Sequence, residues 1–231
     1  MRLLTIDVEA TGVNAKKDCI VTLFVGVMEA NGEFSEKHEF LFNPGVEIPQ
    51  EAMNVHGITN EHVQEHGIQV ENHRDVFAKI RTLIVDNIRD HNLPVVIYNA
   101  PYDTTIINAT LVRNELEPIA WNDYFVIDPF VIDKAVDTYR KGARSLTSVA
   151  THYGIDVDET KTHDAAYDCY LTGRIVIELA KNPRIANMSR SVLHKNQISW
   201  KVEQSASLQA FLRQRENDET IVVDSSWPVM V

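Results

Sequence analysis

The chain is 231 residues long and 44% hydrophobic, and it carries 22 Lys and Arg against 33 Asp and Glu, a formal net charge of −11. Such a chain can bury a core of its own and make one domain with room for an appendage, while its acidic balance argues against non-specific nucleic-acid binding through the whole surface but not against a local site. No basic region leads into a long apolar stretch and no apolar run approaches about 18 residues, so a soluble, cytoplasmic protein is expected, with no signal peptide, membrane span or membrane partner.

The charge is unevenly divided. Residues 1–180 hold 15 Lys and Arg against 28 Asp and Glu, net −13, whereas residues 181–231 hold 7 against 5, net +2. This division predicts a main domain over 1–180 and a helical extension with a tail over 181–231. That extension either packs on the acidic domain or reaches a polyanion as a basic arm. The two cysteines, Cys19 and Cys169, form no spaced set and read as reduced core residues, not as a disulfide framework or zinc site.

A strand near 2–8 opens the chain, and apolar runs at 20–29 and 34–42 follow, joined by an Asn31-Gly32 pair that signals a tight hairpin. Asn43-Pro44-Gly45 reads as a turn before a polar stretch containing MNVHGITNEHV. Val70, Phe77, Ile80, Leu83, Ile84 and Ile88 recur at helical spacing and predict a helix over 70–90. PVVIY at 94–98 reads as a short covered strand, Asn99-Ala100-Pro101 as a turn, and 102–115 as a helix with Ile106, Ile107 and Leu111 inward. DYFVID at 123–128 predicts another strand, and helices are expected near 129–139, 145–152 and, most strongly, 164–180. Three antiparallel strands followed by strand, helix, strand, helix make a mixed α/β sheet covered by helices on both faces.

Within LLTIDVEATG, residues 3–12, the apolar strand pattern is broken by Asp7 and Glu9. Residues two apart share a strand face, so these carboxylates lie roughly 6–7 Å apart on one side. Like charges in a covered site are relieved by a shared proton or a bound cation. Asp103 falls at the start of a helix that follows a strand, the sheet edge where α/β proteins place their chemistry, although a helix dipole alone would also favour an acid there. Asp168 shares a helical stripe with Ala165, Thr172 and Ile175, which is otherwise small or apolar, so it faces the body and needs a partner. His163 lies five residues earlier, about 140° away on a regular helix. It must therefore precede the helix, with Thr162 as a cap and Asp164 as a first-turn acid.

Taken together, IDVEATG (6–12), NAPYD (99–103) and HDAAYD (163–168) resemble the three ordered motifs of the DnaQ-like 3′–5′ exonucleases, in the histidine-bearing (DEDDh) branch of the DEDD superfamily. That branch includes the proofreading epsilon subunit of bacterial DNA polymerase III. MNVHGIT is similar to a Val-His-Gly-Ile-Thr stretch of the family, and the resemblance covers roughly residues 1–180. Val8, Ala10 and Tyr98 depart from commoner choices and leave the acids intact.

The resemblance implies a ribonuclease H-like, five-stranded mixed sheet with helices on both faces, followed by the C-terminal helical extension. It implies that Asp7, Glu9, Asp103 and Asp168 hold two Mg²⁺ or Mn²⁺ ions, hard cations roughly 4 Å apart, and that His163 orients or deprotonates the attacking water. Ala10, Thr11 and Gly12 would approach the terminal nucleotide, His56 would line the path of the strand, and Asn99 and Tyr102 are further substrate contacts to test. The implied partner is the 3′ end of a single-stranded nucleic acid, with DNA favoured; a DNA polymerase is a second candidate partner. The location would be the host cytoplasm if the gene is phage-borne. An exoribonuclease and a non-catalytic nucleic-acid or polymerase-binding module on the same fold are the alternatives.

HVQEH, residues 62–66, formally matches the metallopeptidase pattern His-x-x-Glu-His, but it sits on a short polar segment with no further ligand evident. In the tail, SASLQAFLRQRE followed by VVDSSWPVM is similar to the ends of stand-alone actinobacterial and phage exonucleases of this family. Trp200, Leu208, Phe211 and Leu212 are expected on one packed helical face, and Trp227-Pro228 as a final anchor.

Overall fold

The computed structural model describes residues 2–231. Strands β1 (Leu3–Ala10), β2 (Ile20–Met28) and β3 (Phe34–Leu41) form an antiparallel meander, and β4 (Val95–Val96) and β5 (Val126–Ile127) add to β1 in parallel, giving the order β3-β2-β1-β4-β5. This is the mixed five-stranded sheet expected.

Alternation along β1 sorts the layers. Leu4, Ile6, Val8 and Ala10 face a core shared with α3 (His73–Arg89) and α4 (Pro101–Arg113). Leu3, with Val96 and Ile127 of the neighbouring strands, faces a second core made with α5 (Pro129–Val136), α6 (Leu146–His152) and α7 (Ala165–Leu179). Helices therefore cover both faces. Ile106, Ile107 and Leu111 are buried on α4, as are Phe77, Ile80, Ile84 and Ile88 on α3.

Between β3 and β5 the structure departs from the sequence reading in three places. The polar stretch after β3 holds two seven-residue helices, α1 (Gln50–His56) and α2 (Asn60–His66). Between them they bury only Val63, so no apolar stripe announces them. Gly57, at φ 74°, ends the first, and the Thr59 hydroxyl caps the second by accepting from His62 N. Helix α3 begins only at His73, after a 3₁₀ turn over Val70–Asn72 that leaves Val70 exposed. Strands β4 and β5 are two residues each, shorter than the expected spans, so β1 has a pairing partner on that side only at Leu4 and Thr5.

Beyond α7 lies α8 (Arg190–Glu216), reversed at Asn217 in a left-handed conformation with φ 51°. Its buried residues are polar, Gln197 and Ser205, while Leu208 and Phe211 are exposed, against the packed face expected of them. Trp200 is the member of that set that packs against the cores. The tail returns along α8 through Arg213 Nε to Ile221 O, Val223 N to Gln209 Oε1, and Ser205 Oγ to Asp224 O, and it ends with Trp227 buried. Among the described residues no helix is long and apolar enough to cross a membrane.

Candidate active site

Asp7 and Glu9 lie on the β1 face that α7 covers, in register with Phe24 and Thr22 of β2. Helix α7 comes close because its contact residue is Gly173. A Cβ there would stand 2.4 Å from Met28 Sδ and 3.4 Å from Thr5 Cγ2. That approach brings Asp168, in the first turn of α7, alongside β1.

Asp103 arrives from the other side. Because β4 ends early, Val8 N has no strand partner there, and it donates to Asp103 Oδ1 at 3.2 Å. The short strand thus creates the slot that the carboxylate fills.

His163 completes the group by leaving the helix. Its backbone is left-handed, φ 65°, an uncommon state for a side-chain-bearing residue and the turn needed to undo the 140° separation expected on a regular helix. The cap of α7 is Asp164, which accepts from Tyr167 N at 2.9 Å, and not Thr162, whose hydroxyl donates to Glu159 O. Glu9, His163 and Asp168 offer ligand atoms that all lie within 4.8 Å of one another.

Burial and mutual repulsion push these acids toward the protonated form. Asp7 is raised well above its ordinary value, first by burial and then by the charges of Asp103, Glu9 and Asp168. Glu9 is raised to about 8 by burial, Asp168 and Asp103, and Asp168 to about 6 by burial, against the lowering influence of His163. Burial also raises Asp103, opposed by the Val8 hydrogen bond. Asp168 Oδ1 is buried without a hydrogen-bond partner. A cluster of oxygen donors held toward the protonated form by burial and mutual repulsion, and carrying an orphaned acceptor, fits hard divalent cations.

A cavity of about 350 Å³ opens beside this cluster, lined by Thr22, Glu39, His56, Thr160, His163 and Ala166 among others. His56 Nδ1 accepts from Ile58 N, so the neutral ring carries its proton on Nε2, which is buried with no partner. Burial and the neighbouring His163 lower the His56 pKa and favour that neutral ring. Thr22 Oγ1 is likewise unpartnered. Thr22 and Glu39 carry no sequence signal, being polar residues on strands.

The remaining expected contacts have other duties. The Ala10 methyl belongs to the α3/α4 core, and Thr11 Oγ1 accepts from Cys19 N. Gly12 lies against the Asp18 carboxylate, 2.6 Å from where a Cβ would stand, and its carbonyl accepts from the Tyr102 hydroxyl. Asn99 is exposed at φ 58°, and its N–H donates to Asp128, a fully buried acid that the sequence reading passed over. On α2 the His62 and His66 rings lie 4.9 Å apart, and neither belongs to a group of three ligating side chains among the described residues.

The exonuclease family model (RNase_T) matches residues 4–176. The chain belongs to the exonuclease family. Its relatives include the PolC-type DNA polymerase III of Pediococcus pentosaceus, 30% identical over 73% of this chain but 11% of that protein. The DNA polymerase III subunit epsilon of Rickettsia felis is 22% identical over 89% of this chain and 88% of that one. The chain thus spans about a tenth of the PolC-type relatives and most of the epsilon subunit. Among solved structures, E. coli Exonuclease I in complex with a dT13 oligonucleotide aligns at a TM-score of 0.65 and 20% identity, over 80% of this chain and 42% of that one. Exonuclease X in complex with 5′-overhanging duplex DNA aligns at 0.56 and 18% identity, over 84% and 99%. The fold is the ribonuclease H-like fold of these neighbours, and the chain belongs to the DnaQ-like exonucleases of the DEDD superfamily.

Proposed function

We propose that this chain is a metal-dependent exonuclease that removes nucleotides from the 3′ end of single-stranded DNA. The observation that carries the reading is the convergence of Asp7, Glu9, Asp103 and Asp168 on one sheet edge, with His163 within ligand distance of two of them. The relatives' names and the oligonucleotides in the neighbouring structures support DNA as the substrate and make a polymerase a candidate partner.

Asp7, Glu9, Asp103 and Asp168 would hold two divalent cations, Mg²⁺ or Mn²⁺. When bound, such a pair supplies Lewis-acid chemistry, neutralising charge on the phosphodiester and lowering the pKa of water. His163, exposed at the mouth of the cluster, accepts the proton of the attacking water. Its left-handed backbone turns the ring toward the acids just ahead of α7. The free Nε2–H of His56 is a donor for a phosphate or sugar oxygen in the cavity, where Thr22 Oγ1 offers a second polar group. Ala10, Thr11 and Gly12 act through the shape of their loop, since two of their side-chain positions are already engaged and the Tyr102 hydroxyl pins the Gly12 carbonyl. Asn99 contributes a backbone turn, its side chain remaining exposed to an incoming strand.

The test is digestion of matched 5′-labelled DNA and RNA oligonucleotides with Mg²⁺ or Mn²⁺ and with chelator. A ladder shortening from the 3′ end, faster on single-stranded DNA and absent in chelator, is expected. No shortening of either substrate rejects the enzyme reading, and faster shortening of RNA replaces DNA by RNA.

A further inference from the structure

A buried hub at Asp128 links the turn that precedes Asp103 to Trp227, near the other end of the chain. The Asp128 carboxylate, fully buried, accepts from Asn99 N at 2.9 Å and Ala100 N at 3.0 Å, the two residues that turn the chain from β4 into α4. It also caps α5 through Phe130 N and Val131 N. The donor to its remaining side is the Trp227 indole, Nε1 to Oδ2 at 3.2 Å, and the Trp227 ring packs edge-on against His194 of α8 at 5.1 Å between centroids. From α8, Gln197 accepts from Asp128 N at 2.7 Å and donates to Val126 O at 3.0 Å, tying the same hub to β5.

The tail then touches α4 itself. Thr104 Oγ1 lies within hydrogen-bond distance of Pro228 O and of Ala100 O in its own helix, so its single proton is shared between the tail and the α4 backbone, and Met230 N donates to Thr105 Oγ1 at 2.9 Å. Thr104 and Thr105 follow Asp103 directly, and both are buried. Both threonines after Asp103 thus meet the last few residues of the chain, Thr105 as acceptor from Met230 N and Thr104 beside Pro228 O.

We infer that Trp227 is a positioning residue of the active site, and that the segment Trp227–Met230 clamps the first turn of α4 so that Asp103 meets Val8 and the other acids. An acid that serves by geometry loses function on displacement of about 1 Å, which can cost as much as about 10²-fold in rate. A tail that only covered apolar surface would need neither the indole N–H aimed at Asp128 nor the paired threonine contacts.

Two variants test this: Trp227→Phe in the full chain, which keeps the aromatic bulk and removes the N–H, and a shortened chain ending at Ser226. The first readout is independent of turnover: hydrogen exchange of the Val8 amide by NMR, which reports the Val8–Asp103 bond. The second is the kinetics of a 5′-labelled oligonucleotide well below the melting temperature, and it alone rests on the exonuclease reading. Val8 exchange is expected to quicken at least about tenfold in both variants, with other β1 amides unchanged. In step with it, kcat should fall at least about tenfold at constant KM. Unchanged Val8 exchange in Trp227→Phe overturns the inference, whatever happens to melting temperature or rate, and that variant decides if the shortened chain does not fold. Faster Val8 exchange in a protein whose wild type cuts nothing keeps the clamp and rejects the exonuclease.

Discussion

His163 occupies a backbone state that its own side chain disfavours. A non-glycine residue at φ 65° persists only where its surroundings hold it, and here Asp164 begins α7 immediately afterwards by capping it. The arrangement separates two neighbours that sequence alone would link: Asp164 supports the helix, while His163 reaches the acids. With the four carboxylates intact, His163→Ala is expected to retain Mn²⁺ binding in titration calorimetry and to lose roughly 10²- to 10⁴-fold in single-turnover rate. Loss of Mn²⁺ binding instead would make the imidazole a ligand, a role for which its atoms are near enough to Glu9 and Asp168.

At the scale of elements, the site depends on two close approaches. One is the early end of β4, which leaves Val8 N for Asp103. The other is α7 against β1 at Gly173, where Met28 and Thr5 are both fully buried and have little room to yield. Gly173→Ala is therefore expected to destabilise the fold by about 1–3 kcal/mol through overpacking, a fall of about 2–4 °C in melting temperature for each kcal/mol in a chain of this size. The same displacement moves Asp168 away from Glu9. Cleavage measured well below the variant's melting temperature should thus fall further than the residual unfolding explains; a rate equal to wild type would show that α7 can shift without disturbing the acids.

For the whole molecule, the acid cluster sets how stability responds to pH. Glu9 is raised to about 8 and Asp168 to about 6 in the folded state. A raised folded-state pKa means that the native form binds protons more tightly than the unfolded form, so its contribution is fully present below the unfolded values, near 4, and is lost as pH rises through 6 to 8. In chelator the melting temperature is expected to fall by several degrees between pH 5 and 8.5. Mg²⁺ or Mn²⁺ should restore it, with an increment that grows over the same interval, because cations bind the ionised acids. A melting temperature in chelator that stays flat across that range would falsify the assignment of these acids as a strained, cation-seeking cluster.

What the sequence determined by itself is what periodicity records. Alternation in β1 placed Asp7 and Glu9 on one face, and helical spacing placed Ile106, Ile107 and Leu111 inward on α4; the set of four acids came from the resemblance of three ordered motifs to a family, not from periodicity. Local patterns leave such traces because each residue's face follows from its neighbours. Tertiary structure decided the rest. The left-handed turn at His163, the proton on His56 Nε2 and the unpaired edge at Val8 depend on backbone geometry and on where partner strands end. The hub at Asp128 joins residues 69 and 99 positions apart, to Gln197 and to Trp227, and Met230 reaches Thr105 across 125 positions. A hydrogen bond between such distant residues imposes no period on either segment, so only the folded chain discloses it.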